Sequence, residues 1–186
     1  VSTPRTPAAA CIIPNAMPSM RCALLAAMLV QSAAFAPSSA VRGTTRLAAV
    51  AYERYLDAAC EAAKAAGALI RSASTDERAV DTLKANAKDL LTKTDVACQD
   101  VAAAVLARRE PDSRLLGEED VAPGGDAARR AAEQAFAADG LVWAVDPIDG
   151  TANFVDAIPL SATSVAAVEC EGGTCRVVAG AVYDPY

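Results

Sequence analysis

Hydrophobic positions change period along this chain, from helical spacing in its middle to alternation near its end. From Tyr52 to Ala73 the apolar residues Tyr55, Leu56, Ala59, Ala63, Ala66, Leu69 and Ile70 recur at helical spacing and predict an amphipathic helix interrupted at Gly67. A second helix is expected to open at Thr94-Asp95, with Val96, Val101, Val105 and Leu106 toward a core. Its Arg108-Arg109 sit at the negative end of the helix dipole, and Pro111-Asp112 end it. Beyond that point the period shortens. Arg114 to Gly117 and Leu141 to Asp146 read as strands, and Leu160 to Cys170 pairs with Cys175 to Val182 around a Gly-Gly loop. Helices followed by strands that end in acidic residues give an α+β layered sandwich.

The chemistry gathers where the Leu141–Asp146 strand ends. Trp143-Ala144-Val145-Asp146-Pro147-Ile148-Asp149-Gly150-Thr151 carries two carboxylates three residues apart, then a Gly-Thr turn. Pro147 has no N–H, so the ladder is expected to end near it. Asp146 and Asp149 can then leave the sheet together, and two carboxylates held close repel unless they share a proton or a cation. A hard divalent ion with oxygen ligands suits such a pair, Mg²⁺ above all where phosphate is also bound. Alone, the run also fits an Asp-Pro/Asp-Gly turn whose acids cap backbone groups.

Three more segments narrow the choice. Leu90-Leu91-Thr92-Lys93-Thr94-Asp95 and Leu116-Gly117-Glu118-Glu119-Asp120 lie upstream, and Asn153-Phe154-Val155-Asp156-Ala157-Ile158-Pro159 and Ala179 to Pro185 lie downstream. In this order the set resembles the inositol monophosphatase family of lithium-sensitive, Mg²⁺-dependent phosphatases, over about Tyr52 to Tyr186. The resemblance implies the first part of an αβαβα sandwich, the sugar-phosphatase fold. A further half would carry a W-D-x-A-A-G motif whose aspartate completes a metal site. It also implies roles. Glu118, Asp146 and the Ile148 carbonyl would hold one Mg²⁺, and Asp146 and Asp149 a second. Glu118 and Thr151 would orient the attacking water, with Asp95 hydrogen-bonded to Thr151. The Gly150 and Thr151 N–H groups would receive phosphate, joined by Asp149 and by Lys84 on a loop before the Thr-Asp segment. Inositol monophosphate is the substrate expected first; adenosine 3′,5′-bisphosphate, histidinol phosphate and galactose-1-phosphate are alternatives, as is an inactive half-domain. Asp156 and Ala157 replace the His-Arg or His-Gly common in the family, and Asp126 to Gly140 reads as an inserted surface helix. The resemblance, to a family that is often dimeric, leaves a homodimer open for the full-length protein, and nothing in the sequence fixes oligomeric state.

Charge divides the chain near residue 50. Four of the 17 Lys and Arg precede that point and none of the 23 Asp and Glu does, leaving 13 bases against 23 acids in the body, a net charge of −10. So acidic a body argues against nucleic acid as a partner. Residues 20–34 have the charged start, short apolar run and small-residue cleavage site of a signal peptide, and 35–50 read as a transit peptide. Together they resemble the bipartite plastid leader of algae; secretion is the rival reading. The apolar run is too short to span a bilayer. The domain proper is therefore expected over 51–186, with 1–50 outside the fold. The absence of histidine rules out a His-based triad or a zinc site within these residues. Cys170 and Cys175 flank the Gly-Gly loop and could form a redox-sensitive bridge; as ordinary small residues in strands they need no bond, which is the preferred expectation.

Overall fold

Between Gly67 and Pro111 the chain contains neither glycine nor proline, and in the computed structural model almost all of it is helical. The structure describes residues 9–12, 46–75, 77–122 and 125–186, with side chains over 50–74, 93–122 and 125–186. Helix α1 spans Arg46–Thr75 and helix α2 spans Glu77–Arg109. Strand β1 is Ala9–Ile12, β2 is Arg114–Gly117, β3 is Gly140–Asp149, β4 is Ala162–Glu171 and β5 is Thr174–Tyr183. Between them lie a single 3-10 turn at Glu118–Asp120, helix α3 at Gly125–Ala135 and helix α4 at Thr151–Val155. They form one sheet in the order β1-β5-β4-β3-β2. β3, β4 and β5 are antiparallel neighbours, whereas β2 runs parallel to β3 and β1 parallel to β5.

The helix pair covers one face. Arg54 pairs with Glu110, Glu61 with Arg108 and Arg109, and the Cys98 thiol reaches the Ala66 carbonyl. Partners therefore run in opposite directions, and the helices pack antiparallel. Ala58, Ala59, Ala62, Ala63 and Ala66 give α1 a small-residue face, which lies on Trp143, Val145, Val165, Ala167, Ala179 and Ala181 of the sheet. Gly67 belongs to the same contact: a Cβ there would lie 2.3 Å from the Tyr183 ring. The opposite sheet face carries a smaller cluster of Val142, Val168 and Cys170 under Ala135 and Phe136, at the end of α3. Apolar residues on both faces explain why β3 reads as a continuous hydrophobic run rather than an alternation.

Several expectations need correction. α2 does not open at Thr94-Asp95; it runs through them, so Asp95 is not a cap. Val96 is exposed, and the buried stripe is Asp95, Cys98, Gln99, Ala102, Val105 and Leu106. α1 begins at Arg46, and Ala9–Ile12 lies along β5, although both were expected outside the fold. Cys170 and Cys175 face each other as register partners and are disulfide-bonded. The bridge, expected only as the less favoured reading, forms because that direct opposition brings their Cα atoms to 4.1 Å. No helix among the described residues is long and apolar enough to cross a membrane.

Candidate functional site

The site forms where β2 and β3 end side by side. Their parallel register sets Gly117 beside Val145, so Glu118 leaves the sheet level with Asp146. β3 pairs regularly with β4 as far as Asp146, slips across Pro147 and Ile148, and resumes at Asp149 opposite Ala162. Proline explains the slip, since it offers no N–H to the ladder. The Thr163 hydroxyl donates to the Pro147 carbonyl at 2.9 Å and fixes the irregular stretch, while the Ile148 side chain is anchored in the core. The turn then tightens at Gly150, whose φ of +91° is open to glycine at little cost. A Cβ at this position would also lie 2.7 Å from the Leu160 carbonyl oxygen.

Asp95, Asp146 and Asp149 are all buried. Burial is the main reason the Asp146 carboxyl is pushed up to about 9; the Glu118 charge and hydrogen bond add to it, followed by the charges of Asp149 and Asp95. Raised this far, the Asp146 carboxyl keeps its proton at neutral pH. Asp146 Oδ1 is buried with no hydrogen-bond partner. Asp95 rises to about 7, again chiefly by burial, then by the charges of Glu119 and Glu118. None of the ion pairs among the described residues includes Asp95, Glu118 or Asp146. The Cys98 thiol beside Asp95 is pushed by burial to about 12, which leaves it inert.

Not every expected contact is made. The Thr151 hydroxyl donates to the Ile148 carbonyl at 2.8 Å, and no hydrogen bond joins it to Asp95 among the described residues. Ile148 keeps a second lone pair on that oxygen. Lys84 falls within the span of α2 rather than on a loop, and its side chain lies outside the described residues. As they stand, no three acidic groups among the described residues are close enough to enclose an ion. The donor set nevertheless fits a hard cation in its chemistry. It is all oxygen, it carries an orphaned buried carboxylate atom, and burial and neighbouring acids make its Asp146 carboxyl costly to ionise without a cation.

Sequence reasoning passed over Gln99. It is buried one helical turn after Asp95, and its side-chain oxygen accepts the Glu119 N–H at 3.0 Å. Only its helical spacing from Asp95 hinted at this, because the partner lies in another element.

The sequence model of the inositol monophosphatase family matches residues 51–186. The chain belongs to that family. Human inositol monophosphatase 2 is 38% identical over 119 residues, covering 64% of this chain and 38% of that protein. Tomato inositol monophosphatase 3 is 35% identical over 132 residues, covering 71% of this chain and 46% of that protein. The crystal structure of CysQ from Bacteroides thetaiotaomicron, a bacterial member of the inositol monophosphatase family, matches with a TM-score of 0.53 at 26% identity, over 73% of this chain and 44% of that one. This chain thus spans less than half the length of these relatives.

Proposed function

We propose that the protein hydrolyses a small phosphate monoester, inositol monophosphate first among them, with Mg²⁺ as cofactor. The observation that carries this reading is the convergence of Asp95, Glu118, Asp146 and Asp149 at the ends of β2 and β3, with Asp146 Oδ1 buried and unpartnered. Glu118, Asp146, Asp149 and the Ile148 carbonyl would hold the cation. When bound, it supplies charge neutralisation and an activated water.

The chain's own residues do the rest. Asp95, poised at about 7, can take up a proton near neutral pH, where a general base works best. Gly150 turns the backbone as the N-cap between Asp149 and α4, whose first N–H groups have no partner within the helix. Gly150 and Thr151 N–H groups there would receive phosphate oxygens. The Thr151 hydroxyl, which donates to the Ile148 carbonyl, would orient the attacking water through its own oxygen lone pairs. Lys84 would add positive charge. Transition-state charge in phosphoryl transfer is spread over the phosphoryl oxygens, so positioning and electrostatics are the main demands on the site. Residues 20–50 would deliver the protein to a plastid, which a fluorescent fusion of that segment tests by where it accumulates.

The experiment is phosphate release by the complete protein without its leader. Inositol-1-phosphate is supplied with Mg²⁺, then lithium is added, with adenosine bisphosphate, histidinol phosphate and galactose-1-phosphate run in parallel. Lithium-sensitive release from inositol-1-phosphate is expected, and Asp149→Asn should abolish it while the protein stays folded. Release from another substrate alone would keep the site and change the substrate. Release from none, or full activity in Asp149→Asn, would refute the reading.

A further inference from the structure

Gln99 sits where α2 meets the turn that carries Glu118. Its side-chain oxygen accepts the Glu119 N–H at 3.0 Å, and the residue is 5% exposed. The amide also lies flat against Gly117: a Cβ at that position would be 2.2 Å from Oε1, 2.3 Å from Cδ and 2.6 Å from Nε2. Gly117 is thus the last β2 residue, kept bare so that Gln99 can close over it. The amide grips the chain on both sides of Glu118, through Gly117 before it and the Glu119 N–H after it. No side-chain cap hydrogen bond comes from Gly117 itself at the start of this 3-10 turn.

We propose that Gln99 is the positioning residue of the metal centre, holding the Glu118 carboxylate against Asp146 so that the pair is set before a cation arrives. The inference rests on the metal-dependent reading above. Residues that orient metal ligands without touching the metal typically change affinity about 10–100-fold when removed. Gln99→Met keeps the volume and loses the acceptor. Gly117→Ala leaves Gln99 in place and evicts its amide. Gln99→Glu keeps an acceptor oxygen.

The test has two parts on the complete protein. Amide exchange at Glu119, read by NMR in EDTA, should quicken roughly 2–10-fold in Gln99→Met, the worth of one hydrogen bond. Mg²⁺ titration by calorimetry should show affinity about 10–100-fold weaker in Gln99→Met and in Gly117→Ala, with no further loss in the double variant and recovery in Gln99→Glu. Faster Glu119 exchange with unchanged Mg²⁺ affinity would reduce Gln99 to a structural cap and overturn the proposal. Unchanged exchange would overturn it outright. A wild-type protein that binds no Mg²⁺ would refute the metal-dependent reading and the positioning role with it, an outcome distinct from wild-type binding that the Gln99 variants leave unchanged.

Discussion

Replacing Asp95 by Asn should stabilise the cation-free protein at neutral and alkaline pH while impairing its activity. In the unfolded chain this carboxyl ionises near 3.8, whereas in the fold it keeps its proton up to about 7, chiefly because it is buried and then because Glu119 and Glu118 face it. Between those values the folded state binds more protons than the unfolded one, so stability falls as pH rises. The penalty is absent below about 4 and complete above about 7. At about 1.4 kcal/mol per tenfold in proton affinity it amounts to about 4 kcal/mol, of which about 2–3 kcal/mol should develop between pH 5 and pH 8. Asn does not titrate, and it also removes one of the charges that raise Asp146. Trp143 is the only tryptophan and is fully buried, so its fluorescence reports global unfolding. Urea denaturation in EDTA at the two pH values, followed at Trp143, gives the difference between wild type and variant. The Asn protein should lose about 2–3 kcal/mol less over that interval. Parallel losses in the two proteins would refute the account of a strained acid facing other acids.

Two further perturbations address the frame around the site. Helix α4 ends with Ala157 N–H bonded to Phe154 O and Ile158 N–H to Asn153 O, a closing turn whose left-handed residue is usually glycine. Here it is Ala157 at φ +55°, so Ala157→Gly should raise stability by about 1 kcal/mol in urea denaturation, and a destabilised variant would contradict the strain. Breaking the Cys170–Cys175 bridge, by reductant or by Ser at both positions, should cost about 2 kcal/mol on loop-closure grounds. Alkylation of the unreduced folded protein should leave both cysteines unlabelled by mass spectrometry; labelling of either would mean that no bridge forms.

Much of this architecture can be seen in the residues because it follows from local rules. The Gly-Gly loop between Cys170 and Cys175 marks the hairpin, and Pro147 marks the slip in β3. The acids at the end of β3 stand out because Asp146, with Asp149 three residues on, directly follows the apolar run Leu141 to Val145. The missed features are tertiary. Thr94-Asp95 looks like a helix start, since both types favour caps, yet no glycine or proline stops α2 from running through. Val96 was placed inward by apolar character alone, whereas Asp95 and Gln99 face inward, and Gln99 is satisfied there by the Glu119 N–H of the turn after β2. Ala9–Ile12 has too little pattern of its own to signal a strand; its partner β5 supplies the ladder. The Thr151 hydroxyl illustrates the same limit at the site. Its partner, the Ile148 carbonyl, is three residues back in the irregular end of β3, not the Asp95 carboxylate that the motif suggests.

With Asp146 raised to about 9 and Asp95 to about 7, a cation that binds among these acids must displace protons. Adding Mg²⁺ to the complete protein in weakly buffered solution at pH 7.5 (an arbitrary setting between about 7 and about 9, where Asp146 remains protonated) should drive protons off as the ion binds. Paired calorimetric titrations in buffers of different ionisation enthalpy count those protons. The account predicts release of roughly one proton per site filled, lost in Asp146→Asn. Binding of Mg²⁺ without proton release, or no binding at all, would contradict it.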